Sequence, residues 1–174
     1  MVVDIASELR RADVEEFTIT RTIKAPLSRV WKAWTDESQL RQWWGPKGFD
    51  NLDVKLNLRV GGTMHYGLRS PDGVVFYGRF VFHEIVPQQR LVFVVSFAAK
   101  DGRAVRNPWD SDWPLQLLTT IEFADLGGRT EVTVHWIPVN ASDAEAQAFE
   151  KGLDSCHKGW SGTFDNLDDL IDKD

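Results

Sequence analysis

Two segments decide the fold: residues 17–46, FTITRTIKAPLSRVWKAWTDESQLRQWWGP, and residues 142–171, SDAEAQAFEKGLDSCHKGWSGTFDNLDDLI. In the first, Phe17, Ile19, Arg21 and Ile23 alternate with Thr18, Thr20 and Thr22, which is the period and composition of a strand. Ala25-Pro26 ends it, because proline lacks a ladder donor and restricts its predecessor. Leu27, Val30, Trp31 and Trp34 then fall at i, i+3, i+4 and i+7, one face of a short helix. Asp36 followed by Gln39 reads as an N-cap with a capping-box partner, opening a second short helix through Leu40 to Trp43. Trp44-Gly45-Pro46 stops it.

In the second segment, Ser142 and Glu145 form a capping box. Phe149, Leu153, Cys156, Trp160, Phe164, Leu167 and Ile171 follow at steps of four and three. This predicts one continuous helix over residues 143–171, about 29 residues and roughly 43 Å long, with a single apolar stripe. Gly152, Gly159 and Gly162 interrupt it, each costing roughly 1 kcal/mol relative to alanine. Two explanations stay open: close packing of the helix on a sheet, or room left for a ligand.

Working outward, nearly everything between the two segments reads as strand. Met64, Tyr66 and Leu68 alternate after Gly61-Gly62, and Pro71-Asp72-Gly73 is a turn. Phe76, Gly78, Phe80 and Phe82 alternate next, then Leu91, Phe93, Val95 and Phe97, then Leu117, Thr119, Ile121 and Phe123. Past a Gly127-Gly128 turn come Val132, Val134 and Trp136. Strands joined by turns without intervening helices form an antiparallel meander. Residues 99–114 form a long polar loop carrying Trp109 and Trp113, and loops of that length are functional or disordered. Residues 1–14 read as a peripheral arm, with Asp4–Arg11 able to form a turn or two of helix, leaving residues 15–174 as one domain.

Composition narrows the function. The 174 residues carry a net charge of −6 with no dense basic run, which argues against a nucleic-acid partner. No apolar run reaches the roughly 18 residues of a membrane span. The N-terminus lacks the basic start and apolar centre of a signal peptide, so a cytoplasmic location is expected. The one cysteine, Cys156, excludes an internal disulfide and a cysteine-based zinc site. The acids Asp165, Asp168, Asp169 and Asp172 read as the solvated face of the last helix, with no calcium-loop spacing. No nucleophile-elbow, HExxH or phosphate-loop motif appears.

TITRTIKAPLSRVWKAWTD, LRQWWGP, RVGGTMHY, PDGVVFYGRFVFHEIVPQQRLVF and KGWSGTFDNLDDL together resemble the START/Bet v 1-like (SRPBCC) superfamily. Within it, they resemble the family related to the activator of the Hsp90 ATPase (AHSA1-like). The resemblance covers about residues 15–171. It implies an α+β helix-grip fold: a curved antiparallel sheet of about seven strands wrapped on a long C-terminal helix, two short helices between strands 1 and 2, and an elongated apolar cavity between sheet and helix. It implies no single activity, since members include lipid and hormone binders, polyketide cyclases and co-chaperone domains.

Eight tryptophans in 174 residues suit the lining of such a cavity. The candidate ligand-binding residues are Trp31, Trp34 and Trp44 from the short helices, Met64, Tyr66, Phe80 and Phe93 from strands, and Cys156, His157 and Trp160 from the long helix. The 99–114 loop would cap an entrance. These are apolar walls with few polar groups, the makeup of a small-molecule site. Alternation puts His65, Arg79 and His135 on the outer face, with His83 at a rim. His157, on the flank of the helical stripe, is the histidine placed to meet a ligand. Cys156 and His157 point about 100° apart and do not form a nucleophile pair. The expected function is non-catalytic binding of a small hydrophobic molecule, lipid-like or aromatic, without cofactor or metal. A cyclase or dehydratase using His157 or Tyr66, and an Hsp90-type co-chaperone, are the alternatives. A homodimer or a chaperone are the further partners considered, and the absence of the eukaryotic activator's second domain weighs against the co-chaperone.

Overall fold

The computed structural model describes Arg11 and residues 13–174. The expected helical turn over Asp4–Arg11 lies almost wholly outside the described residues. The described end of the arm is tied down rather than peripheral. Val14 is buried in the main core, and Arg11 donates to the carbonyl of Ala141 and pairs with Asp13 and Asp143.

The opening segment folds as its pattern dictates. Strand β1 is Phe17–Ile23. Helix α1 is Leu27–Thr35, with Val30, Ala33 and Trp34 buried. Helix α2 is Glu37–Trp43, and the Asp36 carboxylate accepts from the backbone N–H of Ser38 and Gln39. The reciprocal half of the expected capping box is not made. The Gln39 side chain instead accepts from Arg29 at 3.0 Å. Trp43 Nε1 donates to the Ala33 carbonyl at 2.9 Å, which joins α2 to α1.

The strands that follow are β2 (Asp50–Leu56), β3 (Thr63–Arg69), β4 (Val75–Val86), β5 (Arg90–Ala98), the two-residue β6 (Ala104–Val105), β7 (Leu117–Asp125) and β8 (Thr130–Pro138). They pair antiparallel in the order β1-β8-β7-β5-β4-β3-β2, with β6 on β5. Strand β2 is absent from the sequence reading. Its alternation is broken by an irregularity between Asn51 and Asp53, which leaves Leu52 42% exposed and Val54 as the one fully buried position. Elsewhere the inner face carries the residues named from alternation, including Met64, Tyr66, Phe80, Phe93, Ile121 and Val134. Val92, Val94, Leu118 and Ile137 form a smaller cluster on the opposite face.

The closing helix differs from the single rod expected. Helix α3 is Asp143–Lys151, capped by Ser142, and α4 is Leu153–Asp172. Gly152 stands between them at φ −88° and ψ −1°. A tertiary contact requires the glycine: a Cβ at Gly152 would come 2.6 Å from the indole of Trp113. The hydrogen bond from Cys156 N to Gly152 O, 2.9 Å, keeps the two pieces in sequence. Helix α4, about 30 Å long, buries Trp160, Thr163, Phe164, Leu167, Leu170 and Ile171.

The acidic cluster is also corrected in part. Asp165 and Asp168 do not simply face solvent. Arg21 of β1 reaches both, at 3.0 and 2.7 Å, donates to the Ser161 carbonyl, and lies over the Phe164 ring. Loss of water around Asp168 pushes its carboxyl above the usual range, although Arg21 opposes this. His65, Arg79 and His135 lie on the outer face, where His65 meets the Ala99 carbonyl, Arg79 donates to the Gly102 carbonyl, and His135 faces Thr18 and Glu122. His83 is exposed.

Candidate functional site

Between the inner face of the sheet and the α3–α4 joint lies a cavity of about 840 Å³. Its walls come from four places. The Trp44-Gly45-Pro46 turn closes one end. Strands β3, β4 and β5 supply Tyr66, Phe76, Phe80, Phe93 and Phe97, and β8 supplies Trp136. The helices present Ala148, Gly152, Cys156, Gly159 and Trp160. The 99–114 loop supplies Asn107, Trp109 and Trp113.

The loop caps this space as expected, and specific contacts hold it there. Trp113 packs on Phe149 at 5.6 Å and onto Gly152. Arg106 pairs with Glu145 of α3 at 3.1 Å. Trp109 stands edge-on to Phe76 at 5.0 Å while remaining 56% exposed, so it forms the outer lip.

Aromatic rings build the interior. Phe80 and Phe93 stack at 3.9 Å, and Trp44 meets Phe80, Tyr66 and Trp160 edge-on at 5.3, 5.6 and 5.7 Å. Trp160 also meets Trp136 at 5.8 Å and stacks on Trp34 at 6.2 Å. Edge-to-face and offset arrangements of this kind are favoured by the ring quadrupoles.

Of the ten residues singled out from sequence, the structure brings Trp44, Tyr66, Phe80, Phe93, Cys156 and Trp160 to this wall. Four are elsewhere. Trp34 is buried behind Trp44 and Trp160. Met64 is in the core at 1% exposure. Trp31 packs on Phe123 at 5.1 Å. His157 is exposed, its ring against Phe17 at 4.7 Å. It sits one position round the helix from Cys156, and that 100° step carries it off the cavity. Trp136 was missed as a wall residue, although its inward alternation with Val132 and Val134 on β8 carried the signal.

The three helical glycines divide between the two explanations. At Gly152 and Gly162 a Cβ would press on Trp113 and on the backbone of Lys47, so both serve close packing. At Gly159 a Cβ would meet nothing within 4 Å. Gly159 lines the cavity and leaves it open.

Burial pushes the Cys156 thiol up to about 11 from an ordinary value of 9.0. The thiolate is the reactive form, so alkylation by iodoacetamide at pH 8 is expected to run on the order of a hundredfold slower than for a free cysteine, as a two-unit shift dictates. The rate should rise through pH 10, followed by mass spectrometry. A rate equal to that of the free amino acid would show the thiol to be ordinary. Among the described residues, no group of three or more His, Cys, Asp or Glu is placed to hold a metal ion, and no helix is long and apolar enough to cross a membrane.

The fold has counterparts in known proteins. Residues 24–172 match the family model of Activator of Hsp90 ATPase homolog 1-like proteins, and the chain belongs to that family. Protein Ms6760 from Mycobacterium smegmatis is 26% identical over 93% of both chains, with a TM-score of 0.72. A protein from Arthrobacter aurescens, 23% identical over 94% of this chain and 92% of its own, superposes with a TM-score of 0.75. DynU16, from the dynemicin biosynthetic locus, shares the fold at 17% identity, covering 90% of this chain and 47% of its own, with a TM-score of 0.60. No curated protein matches.

Proposed function

We propose that the protein binds a small hydrophobic molecule, lipid-like or aromatic, in the space between the sheet and the α3–α4 joint. The observation that carries this reading is the cavity itself. At about 840 Å³ it falls within the range of small-molecule sites, and its walls are aromatic and aliphatic with few polar groups. A cleft of this size, walled by Trp44, Phe80, Phe93 and Trp160, has the usual form of a small-molecule site. Binding without turnover fits the site best. His157 lies off the cavity, and the Cys156 thiol stays protonated at neutral pH. Neither of these two supplies the poised base or nucleophile that catalysis needs.

Five of the eight tryptophans line the space, namely Trp44, Trp109, Trp113, Trp136 and Trp160. A neutral fluorescent probe such as N-phenyl-1-naphthylamine is therefore expected to bind saturably at one site per chain and quench tryptophan emission by energy transfer. Native mass spectrometry of freshly purified protein should also show a retained small molecule. A linear, non-saturating titration together with an unliganded mass would refute this reading.

A further inference from the structure

The cavity wall carries one hydroxyl donor, that of Tyr66, whose neighbour supplies no acceptor. Tyr66 is 9% exposed. The end of its ring lies directly over Gly78, its register partner on β4, where any Cβ would overlap Cζ and Oη. Gly78 therefore fixes where the phenol sits. The hydrogen-bonding neighbour of the Tyr66 oxygen is the indole N–H of Trp44, and indole is a donor only. That N–H approaches without closing a full hydrogen bond and is buried with no other acceptor. The phenol proton has no acceptor in this pair either. Across Trp160, the indole N–H of the wall residue Trp136 is likewise buried without a partner. The two indole N–H groups are covered by protein, so the Tyr66 hydroxyl is the donor on this wall that an acceptor on a guest can reach.

Charge decides which acceptor. Among the described residues, the one cationic side chain on the wall is Lys151, which is exposed, while Asp110 and Asp112 stand at the exposed loop. An anionic oxygen placed beside Tyr66 would have no counter-charge, and burial of an unpaired charge is strongly unfavourable. Burial also raises the Tyr66 phenol above its ordinary 10.0, with Trp44 opposing weakly, so the group remains a donor throughout the neutral range.

We propose that Tyr66 is a specificity-determining residue whose hydroxyl donates to the carbonyl oxygen of a neutral hydrophobic ligand. This rests on the reading of the cavity as a ligand site. The test uses a matched pair of probes of one shape, 9-fluorenone and fluorene, titrated against the full chain by calorimetry or by displacement of N-phenyl-1-naphthylamine. The wild type is expected to prefer fluorenone by about tenfold, equivalent to about 1.4 kcal/mol. The ratio should fall to near one in Tyr66→Phe and in Gly78→Ala, which displaces the phenol. In the wild type, the carbonyl stretch of bound fluorenone should lie at lower wavenumber than in a hydrocarbon solvent, a readout independent of whether either variant folds. Equal affinities in the wild type, a preference that survives Tyr66→Phe, or an unshifted carbonyl stretch would overturn the role of Tyr66 while leaving the apolar cavity intact. Binding of neither probe would overturn both.

Discussion

Trp160→Ala is expected to destabilise the protein by roughly 3–5 kcal/mol, the range for removing a buried large aromatic from a core. Trp160 is 6% exposed and touches Trp34, Trp44, Trp136 and Phe164. It joins helix α4 to the short helices and to β8 at a single ring. Little can collapse into its place, because the space on its other side is already open. Equilibrium denaturation in urea, with the midpoint and slope fitted separately, measures the loss. A cost under about 1 kcal/mol would show that the ring contributes little to the core.

Gly159→Leu is expected to move binding and stability in opposite directions. A Cβ at this position meets nothing within 4 Å and Gly159 lines the cavity, so a leucine here is expected to extend into that open space. Replacing a mid-helix glycine removes a cost of up to about 1 kcal/mol, and the apolar side chain gains cover from the surrounding rings. The chain should thus be at least as stable as the wild type, while affinity for N-phenyl-1-naphthylamine falls by more than about tenfold, since overpacking a filled site is costly. Thermal melting and probe titration on the same preparation separate the two effects. An unchanged affinity would place the probe outside this cavity.

The parts of the fold that were legible in the sequence are those set by local periodicity. The alternation of β1, the i, i+3, i+4 face of α1 and the Asp36 cap of α2 are each determined within a few residues, and all three are found. What was not legible depends on distant partners. The need for glycine at position 152 comes from Trp113, thirty-nine positions earlier in the chain, and no helical pattern carries that information. Strand β2 escaped because the irregularity at Leu52 spoils its period of two. The same division applies to the site. Inward-facing strand residues such as Tyr66, Phe80 and Phe93 were identifiable from alternation. Residues of the two short helices were not separable, because Trp31, Trp34, Trp43 and Trp44 offer similar side chains, and only the packing shows which of them reaches the open space.

The Trp43-Trp44 pair has a consequence for how this architecture can diversify. Trp43 turns inward to donate to the Ala33 carbonyl and fasten the two short helices, while its neighbour forms the cavity end. The following Gly45 sits at φ +125°, its carbonyl held by Asn166 of α4 at 2.8 Å. Cornerstone and chamber wall are thus consecutive residues on one anchored corner, so a change made there to suit a new guest disturbs the masonry as well. The opposite lip has no such double duty. Trp109 is more than half in solvent and is backed by Phe76 and Phe97, so the chamber can be re-tailored from the 99–114 side while the double-tryptophan corner stays fixed.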